Sequence, residues 1–180
     1  MVEHVPEEDG VAGSSPALGT KMQDIETPKT NEVDFSRIVD TLKKSQDIRT
    51  DRINIDALTS LYEQGRLVMD FDESGELKKF GALWDSADPK WVEIGTLWVN
   101  PRHRGSGLSG EIFGALSNQA NSLGKNVFLL SRLDKVAALA KGFSFSEDTA
   151  WSDANNRWDS IYQGTKSGDR RLFFREFVSK

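Results

Sequence analysis

The sequence predicts a mixed α/β domain in which a mostly antiparallel sheet is flanked by helices. Three short β-patterned segments follow one another with turns between them, which is typical of an antiparallel meander. The third of these segments runs through a glycine-containing loop into a helix and then into another buried strand. That order adds one βαβ unit, whose two strands should pair in parallel.

The chain has 180 residues, which favours a single domain with a proper core. It contains no cysteine, and this excludes disulfides, zinc–thiolate sites and a cysteine nucleophile. Residues 1–33 are rich in Gly, Pro, Ser, Thr and acids, so we expect a disordered acidic tail there and a folded domain over 34–180. The tail is either a solvated extension or an acidic interaction arm.

The net charge of −5 lies in that tail, where seven acidic residues face two lysines. The remaining body is therefore near neutral, without the basic face of a general nucleic-acid binder. No stretch is apolar for long enough to span a membrane, and the first residues lack the apolar core of a secretory signal. We expect a cytoplasmic protein with neither nucleic-acid nor membrane partners.

Two helices and a meander make up the first half of the domain. Asp34 is a plausible N-cap for an amphipathic helix, and a second helix starts near Asp56 and stops at Gly65. Ser45–Arg52 is a polar connection between them. Alternation then predicts three strands in order along the chain, namely Leu67–Phe71, Leu77–Trp84 and Trp91–Val99.

A basic loop follows the third strand. Pro101 stops the ladder because it lacks a backbone donor, and Arg102-His-Arg-Gly-Ser-Gly107 leads into a helix that starts near Ser106. The first N–H groups of a helix are unpaired, and its dipole favours anions. Gly105 and Gly107 permit positive φ and close approach of a ligand. A phosphate or pyrophosphate is the ligand that this loop suits.

The rest of the chain completes the βαβ unit. The helix ends at Gly124, and Lys125–Ser131 reads as a strand parallel to Trp91–Val99. A helix over Leu133–Lys141, capped by Gly142, and a last strand over Leu172–Val178 follow. The long span 146–170 either contains an unrecognised strand or folds over a site, and its Trp151, Trp158 and Tyr162 favour packing over recognition.

Two common phosphate loops fit the motif poorly. A Walker loop needs a lysine that is missing here. The spacing of Gly105, Gly107 and Gly110 matches a dinucleotide fingerprint, but the arginines, the proline and the preceding meander do not suit a Rossmann unit. Arg102-His-Arg-Gly-Ser-Gly107 instead resembles the Arg/Gln-x-x-Gly-x-Gly/Ala motif of the GNAT N-acetyltransferases. Leu97–Pro101 resembles the strand that enters that motif, and Gly142-Phe143 resembles a later family feature.

The resemblance covers roughly Asp34–Lys180 and implies a GNAT-like sheet whose βαβ unit binds acetyl-coenzyme A. It implies acetyl transfer to a primary amine of a small molecule or protein, and a possible homodimer. The cofactor-binding residues that it implies lie on the third strand, the loop, the start of the next helix and the end of the fourth strand: Leu97, Trp98, Val99, Arg102, His103, Arg104, Gly105, Ser106, Gly107, Leu108, Ser109 and Ser131.

The catalytic candidates are Glu93 and Tyr162. An amine is protonated near neutral pH, so a general base is expected, and strand alternation puts Glu93 on one face with Gly95, Leu97 and Val99. His103 lies inside the phosphate loop, where loop structure or phosphate contact is the better interpretation. In many members of the family a tyrosine four residues before the Gly-Phe pair protonates the leaving thiolate. Here that position is Ala138, so Tyr162 is the substitute.

Two alternatives stay open at this point. One is a coenzyme-A-binding module without turnover, which the absence of that tyrosine motivates. The other is an unrelated phosphate-binding α/β domain in which the loop match is accidental. The residues do not identify the acceptor, and we expect no metal.

Overall fold

The structure is a computed structural model that describes residues 33–45, 48–164, 166 and 169–177. The expected tail, residues 1–33, lies outside the described residues apart from Val33. The helices are α1 (Phe35–Lys43), α2 (Ile55–Glu63), α3 (Leu108–Ser122) and α4 (Asp134–Gly142). The strands are β1 (Leu67–Phe71), β2 (Leu77–Asp85), β3 (Trp91–Val99), β4 (Asn126–Ser131), β5 (Ser146–Asp148) and β6 (Arg171–Arg175).

Local capping explains where the first two helices begin. The Asp34 carboxylate accepts from the backbone N–H groups of Ser36 and Arg37, which satisfies two donors that a helix start leaves unpaired. Asn54 caps α2 in the same way through the N–H of Ala57, at 2.9 Å. Both helices therefore start within a residue of their predicted positions.

The strands form one sheet in the order β1-β2-β3-β4-β6-β5. β1, β2 and β3 are the predicted antiparallel meander, and β3 pairs in parallel with β4. The two remaining pairs, β4 with β6 and β6 with β5, are antiparallel. The predicted fold class, a mostly antiparallel sheet with a βαβ unit, is confirmed. Within the described ranges, no helix combines the length and the apolar character that crossing a bilayer requires.

Each face of the sheet has its own cover. On one face α3 and α4 pack over Leu83 and Ile94 of the central strands. On the other face α1 and α2 cover β1 to β3 around Trp84, while a segment containing Trp151 and Trp158 covers β4 and β6. That second face thus carries two separate covers, and a cavity opens between them.

Two helix boundaries differ from their predictions because of backbone conformation. Gly107 has φ 84°, which is left-handed, so α3 begins at Leu108 and not at Ser106. Gly142 was predicted to cap α4, but it is the last residue of the helix. The left-handed residue after it is Ser144, with φ 62°.

The span 146–170 does contain a strand that the sequence pattern did not reveal. β5 is three residues long and pairs with β6 alone, so it is too short to show alternation. Trp151 and Trp158 are 2% and 0% exposed, and they pack in the core as expected. β6 ends at Arg175, earlier than predicted, and the predicted end at Val178 lies outside the described residues.

Candidate active site

A cleft opens where β3 and β4 part. The two strands pair over only three positions, from Trp91 with Asn126 to Glu93 with Phe128. Beyond that point both strands continue without pairing to each other. The gap between them is a cavity of about 380 Å³, here called the strand cleft. Ser131, at the end of β4, lines it, and the Ser131 hydroxyl oxygen accepts from the N–H of Leu133 at 3.0 Å.

A bulge in β3 accompanies this parting. Thr96 has φ 55°, and the pairing register with β2 shifts between Phe80 and Ala82. The extra residue leaves both Gly95 and Thr96 facing Trp84, whose indole N–H donates to the Thr96 hydroxyl at 3.2 Å. A bulge bends its strand and increases the local twist. β3 therefore turns away from β4 at this position.

The bulge also changes which residues of β3 share a face with Glu93. Strict alternation would place Glu93, Leu97 and Val99 together, and this prediction is wrong. Leu97 and Val99 pack in the core beneath α3, whereas Glu93 faces Arg52 on the side of α1 and α2. One inserted residue reverses the alternation of everything beyond it. Trp98 is likewise buried on the side of α1 and α2, so it can reach the strand cleft only through its backbone.

The loop between β3 and α3 has the open backbone that the sequence predicts. Gly105 and Gly107 have φ of 86° and 84°, and a Cβ added to either would meet nothing within 4 Å. Gly107 is the N-cap of α3 and, having no side chain, supplies no capping bond. The N–H groups of Leu108 and Ser109, the first two residues of α3, therefore remain available to an anion.

Side chains of the turn between β1 and β2 contact this loop. The His103 Nε2 atom lies 3.4 Å from a carboxylate oxygen of Asp72, and Arg102 pairs with Glu76 at 3.0 Å. Hydrogen bonds, first that of the Ser74 hydroxyl and then the Glu76 N–H, lower the pKa of Asp72 to about 2. Asp72 therefore stays ionised, and His103 faces this turn.

The remaining loop side chains fold back onto their own backbone. The Arg104 Nε donates to the carbonyl of Val99 at 3.3 Å, and the Ser106 hydroxyl donates to the carbonyl of His103 at 2.6 Å. Gly105 and Gly107 are both exposed, so the loop presents its backbone to solvent at these two positions.

A second cavity, of about 450 Å³, lies between α2 and the segment that carries Tyr162. We call it the helix-side cavity. Arg49, Arg52 and Glu93 line both this cavity and the strand cleft, and these three residues form the junction between the two. The strand cleft and the helix-side cavity thus meet beside Glu93, the last residue of β3 that pairs with β4.

Arg52 and Glu93 form a two-pronged ion pair at the junction. The Arg52 Nη1 and Nη2 atoms lie 2.7 and 2.9 Å from the two carboxylate oxygens of Glu93, which is 8% exposed. The guanidinium also stacks over Trp84, 4.4 Å from the ring centroid. A Cβ on Gly95 would collide with Arg52 and Trp84, so only glycine permits this arrangement.

Tyr162 joins the junction through its hydroxyl. Its side chain is buried, and its oxygen accepts from Arg49 Nη1 at 2.9 Å and from Arg170 Nη1 at 3.3 Å. Arg49 also forms a bidentate pair with Asp51, at 2.6 Å for each bond. The hydrogen bonding that Arg49 donates to the Asp51 carboxylate raises the pKa of Arg49 and lowers the pKa of Asp51.

The structure therefore brings Glu93 and Tyr162 to the same cavity, although 69 positions separate them in the chain. Sequence reasoning missed Arg49, Arg52 and Arg170. The first two stand in the connection that was interpreted only as polar, and nothing in their spacing names a partner. Ala138, where the resembled family has tyrosine, is exposed on α4.

Comparisons with known proteins agree on the fold. No protein-family model matches the sequence, and the curated proteins include no significant match. Among solved structures, an acetyltransferase of the GNAT family from Staphylococcus aureus has a TM-score of 0.60 at 9% identity, covering 80% of this chain and 93% of its own. This chain has the GNAT acetyltransferase fold.

Two further GNAT-fold structures carry ligands. A GNAT family N-acetyltransferase from Escherichia coli, in complex with CoA, has a TM-score of 0.50 at 24% identity, covering 78% of this chain and 76% of its own. Diaminobutyrate acetyltransferase from Paenibacillus lautus, in complex with L-2,4-diaminobutyric acid and coenzyme A, has a TM-score of 0.53 at 17% identity. It covers 82% of this chain and 90% of its own. The expected GNAT fold is confirmed, which sets aside an unrelated phosphate-binding domain.

Proposed function

We propose that this protein transfers an acetyl group from acetyl-coenzyme A to a primary amine of a small molecule or a protein. One observation carries the proposal. The left-handed Gly105 and Gly107 open the N-terminus of α3 at the end of β3, beside the cleft between β3 and β4. An anion-binding helix start therefore follows the same strand that lines the cleft, as a ligand with a pyrophosphate and an extended arm requires. The CoA and acetyl-CoA complexes of GNAT-fold proteins support the choice of ligand.

The loop residues divide the work of binding the pyrophosphate. Backbone N–H groups from Gly105 to Ser109 donate to the phosphate oxygens, and the helix dipole adds to the attraction. Arg102 and Arg104 supply formal charge, while His103 and Ser106 hold the loop in shape.

The arm of the cofactor lies in the strand cleft. Leu97 lies on the wall that β3 forms, and Ser131 lies on the wall that β4 forms. The backbone of Trp98 and Val99 continues β3 from Leu97 towards the loop. The acetyl group then reaches the junction, and the amine enters through the helix-side cavity. In the transfer, the amine nitrogen forms a bond to the acetyl carbon and the carbon–sulfur bond breaks. The proton lost by the amine balances the thiolate, which leaves as the thiol.

Glu93 and Tyr162 remain our candidates for moving protons. Both oxygens of Glu93 accept from Arg52, so a role as base requires the amine to approach one oxygen in place of a guanidinium N–H. The Tyr162 oxygen accepts two bonds and retains its own proton, which it can donate. A cytoplasmic location and a homodimer also stay predictions.

The test is thermal unfolding with acetyl-coenzyme A, on the wild type and on Gly107→Asp. At about 100 times the dissociation constant, the ligand adds roughly 2.7 kcal/mol of stability. For a chain of this size, the midpoint should rise on the order of 5 °C. The aspartate places a negative charge on the anion site, so the shift should disappear in the variant.

Gly65→Asp is the matched control. Gly65 is also left-handed, with φ 65° and nothing within 4 Å of an added Cβ, but it follows α2, away from the loop. It should suffer the same backbone strain and keep the full shift with acetyl-coenzyme A. A folded wild type without any shift contradicts the proposal.

A coenzyme-A-binding module without turnover is the second candidate, and the exposed Ala138 favours it. The two are separated by the release of free thiol from acetyl-coenzyme A in the presence of a panel of amines. Amine-dependent release supports the enzyme. A thermal shift without any release supports the module.

A further inference from the structure

The junction carries more positive charge than its carboxylates balance. Arg49, Arg52 and Arg170 meet there, and the carboxylates paired with them are Glu93 and Asp51. Arg170 has no ion pair with a carboxylate among the described residues. The one hydrogen bond that its guanidinium donates among the described residues goes to a neutral group, the Tyr162 hydroxyl. A guanidinium offers five donors, so most of those on Arg170 remain for a ligand.

Two guanidinium groups converge on that single neutral oxygen. Arg49 Nη1 and Arg170 Nη1 lie 2.9 and 3.3 Å from Tyr162 Oη, so the two nitrogens are within about 6 Å of each other. Like charges at this separation repel. A carboxylate placed between them would replace repulsion with charge-assisted hydrogen bonds.

The surrounding structure holds these groups in place. The indole N–H of Trp151, which is 2% exposed, donates to the backbone carbonyl of Arg170 at 2.9 Å. On the other side, the Tyr162 hydroxyl and Arg49 lie so close to Gly164 that a Cβ there would collide with them. The exposed Arg49 and the half-buried Arg170 are therefore both held against the buried Tyr162 and Trp151.

Position rules out the cofactor's phosphates as the anion. Arg49 lines both cavities, and Arg170 lines the strand cleft. Their guanidinium groups meet at the hydroxyl of Tyr162, which lines the helix-side cavity with Glu93, at the end of the cleft six residues before Val99. At about 3.3 Å per residue, that end lies roughly 20 Å from the loop after β3. The anion that binds the arginine pair therefore belongs to the acceptor or to the acyl group, which meet at the thioester end of the cleft.

We propose that the acceptor is an amino acid or another small amine bearing a carboxylate, and that the carboxylate binds between Arg49 and Arg170. This inference rests on the proposed acetyl transfer and adds the class of acceptor. Tyr162 positions the two guanidinium groups, and Glu93 is the nearest buried carboxylate for the ammonium. The acceptor therefore spans the junction with its anion on the arginine pair and its amine towards the thioester.

The test uses pairs of amines that differ only by the carboxylate, such as lysine with 1,5-diaminopentane and phenylalanine with phenethylamine. Initial rates of thiol release are measured with acetyl-coenzyme A, and binding is measured by calorimetry on the CoA-saturated protein. We expect kcat/KM to favour the carboxylated member of at least one pair by roughly 10- to 100-fold, the effect of losing hydrogen bonds to a charged group. Binding should show the same preference even without turnover.

The variants Arg170→Gln and Arg49→Gln should raise KM for the carboxylated member more than for the decarboxylated one, so that the preference within each pair falls towards one. Arg37→Gln removes the same charge from the exposed face of α1 and should change neither member, so it is the matched control.

Two other outcomes overturn the inference, and a third overturns the proposed function on which it rests. Equal rates and equal binding for both members of every pair mean that no carboxylate is recognised. A preference for succinyl-coenzyme A with plain amines, lost in Arg170→Gln, places the carboxylate on the acyl group instead. Failure to bind acetyl-coenzyme A at all contradicts the proposed function, and carboxylate-dependent binding to the protein alone then still decides whether the arginine pair is an anion site.

Discussion

The two ends of the strand cleft are built in different ways. At the loop end, backbone conformation makes the site: two exposed, left-handed glycines stand next to an open helix start, all within a few residues. At the junction end, side chains make the site. Arg52 and Glu93 are 41 positions apart, and Arg49 and Tyr162 are 113 apart. The loop can therefore be changed with little effect on the fold, whereas the junction cannot.

Removing one partner of the buried pair should have the largest effect. Arg52→Leu leaves the Glu93 carboxylate buried without its guanidinium, and this should cost about 3 kcal/mol of unfolding free energy. At the loop, Arg102→Leu removes an ion pair whose partners are 75% and 47% exposed, and it should cost less than about 1 kcal/mol. Urea denaturation of both variants measures the difference.

The double variant Arg52→Leu with Glu93→Leu is the control for that experiment. With both charges gone, most of the lost stability should return, because apolar pairs can replace buried ion pairs. Equal losses for Arg52→Leu and Arg102→Leu would mean that the two ends do not differ in the way we describe.

Gly95→Ala should follow in size. The added Cβ collides with Arg52 and with Trp84, and overpacking of this kind costs roughly 1–3 kcal/mol. Gly110→Ala is the matched control, since its Cβ meets only Leu139, at an ordinary 3.9 Å. Inside α3 it should be neutral or stabilising by up to about 1 kcal/mol. A tolerated Gly95→Ala would show that Arg52 has room to move.

Gly107→Ala probes the loop end with the same change. No atom lies within 4 Å of the new Cβ, so the cost is conformational, about 1 kcal/mol for a left-handed residue. Affinity for acetyl-coenzyme A should fall as well, because the methyl group occupies the space of the pyrophosphate. A calorimetric titration together with thermal unfolding separates the two effects, and an unchanged affinity argues against the anion site.

The smallest effect should come from Asp72→Asn, measured against pH. Because the pKa of Asp72 falls from 3.8 to about 2 on folding, its contribution is present above pH 4 and is lost as the pH falls through 2. The wild type should therefore lose midpoint temperature between pH 4 and pH 2 more steeply than the variant. Parallel pH profiles would show that the ionised Asp72 carboxylate beside His103 contributes nothing to stability.

Much of the fold was predictable because its signals are local. The bounds of β3 match the prediction, and those of β1, β2 and β4 match within a residue, since alternation and turn residues stand next to one another in the chain. β5 was not predicted because three residues cannot display a period, and its position depends on β6.

The exchange of faces along β3 beyond Gly95 was not predicted for another reason. A bulge at Thr96 depends on the pairing with β2, which periodicity within β3 does not contain.

The sequence alone determined the loop, because Pro101, the arginines and the two glycines set their own backbone and leave the N-terminus of α3 open. Glu93 and Tyr162 could be nominated from sequence, but their surroundings could not. Only the tertiary structure decided that Arg52 occupies both oxygens of Glu93 and that Arg49 and Arg170 meet at Tyr162. The physical reason is range: backbone conformation depends on neighbouring residues, whereas the partner of a buried charge depends on which distant elements the sheet brings together.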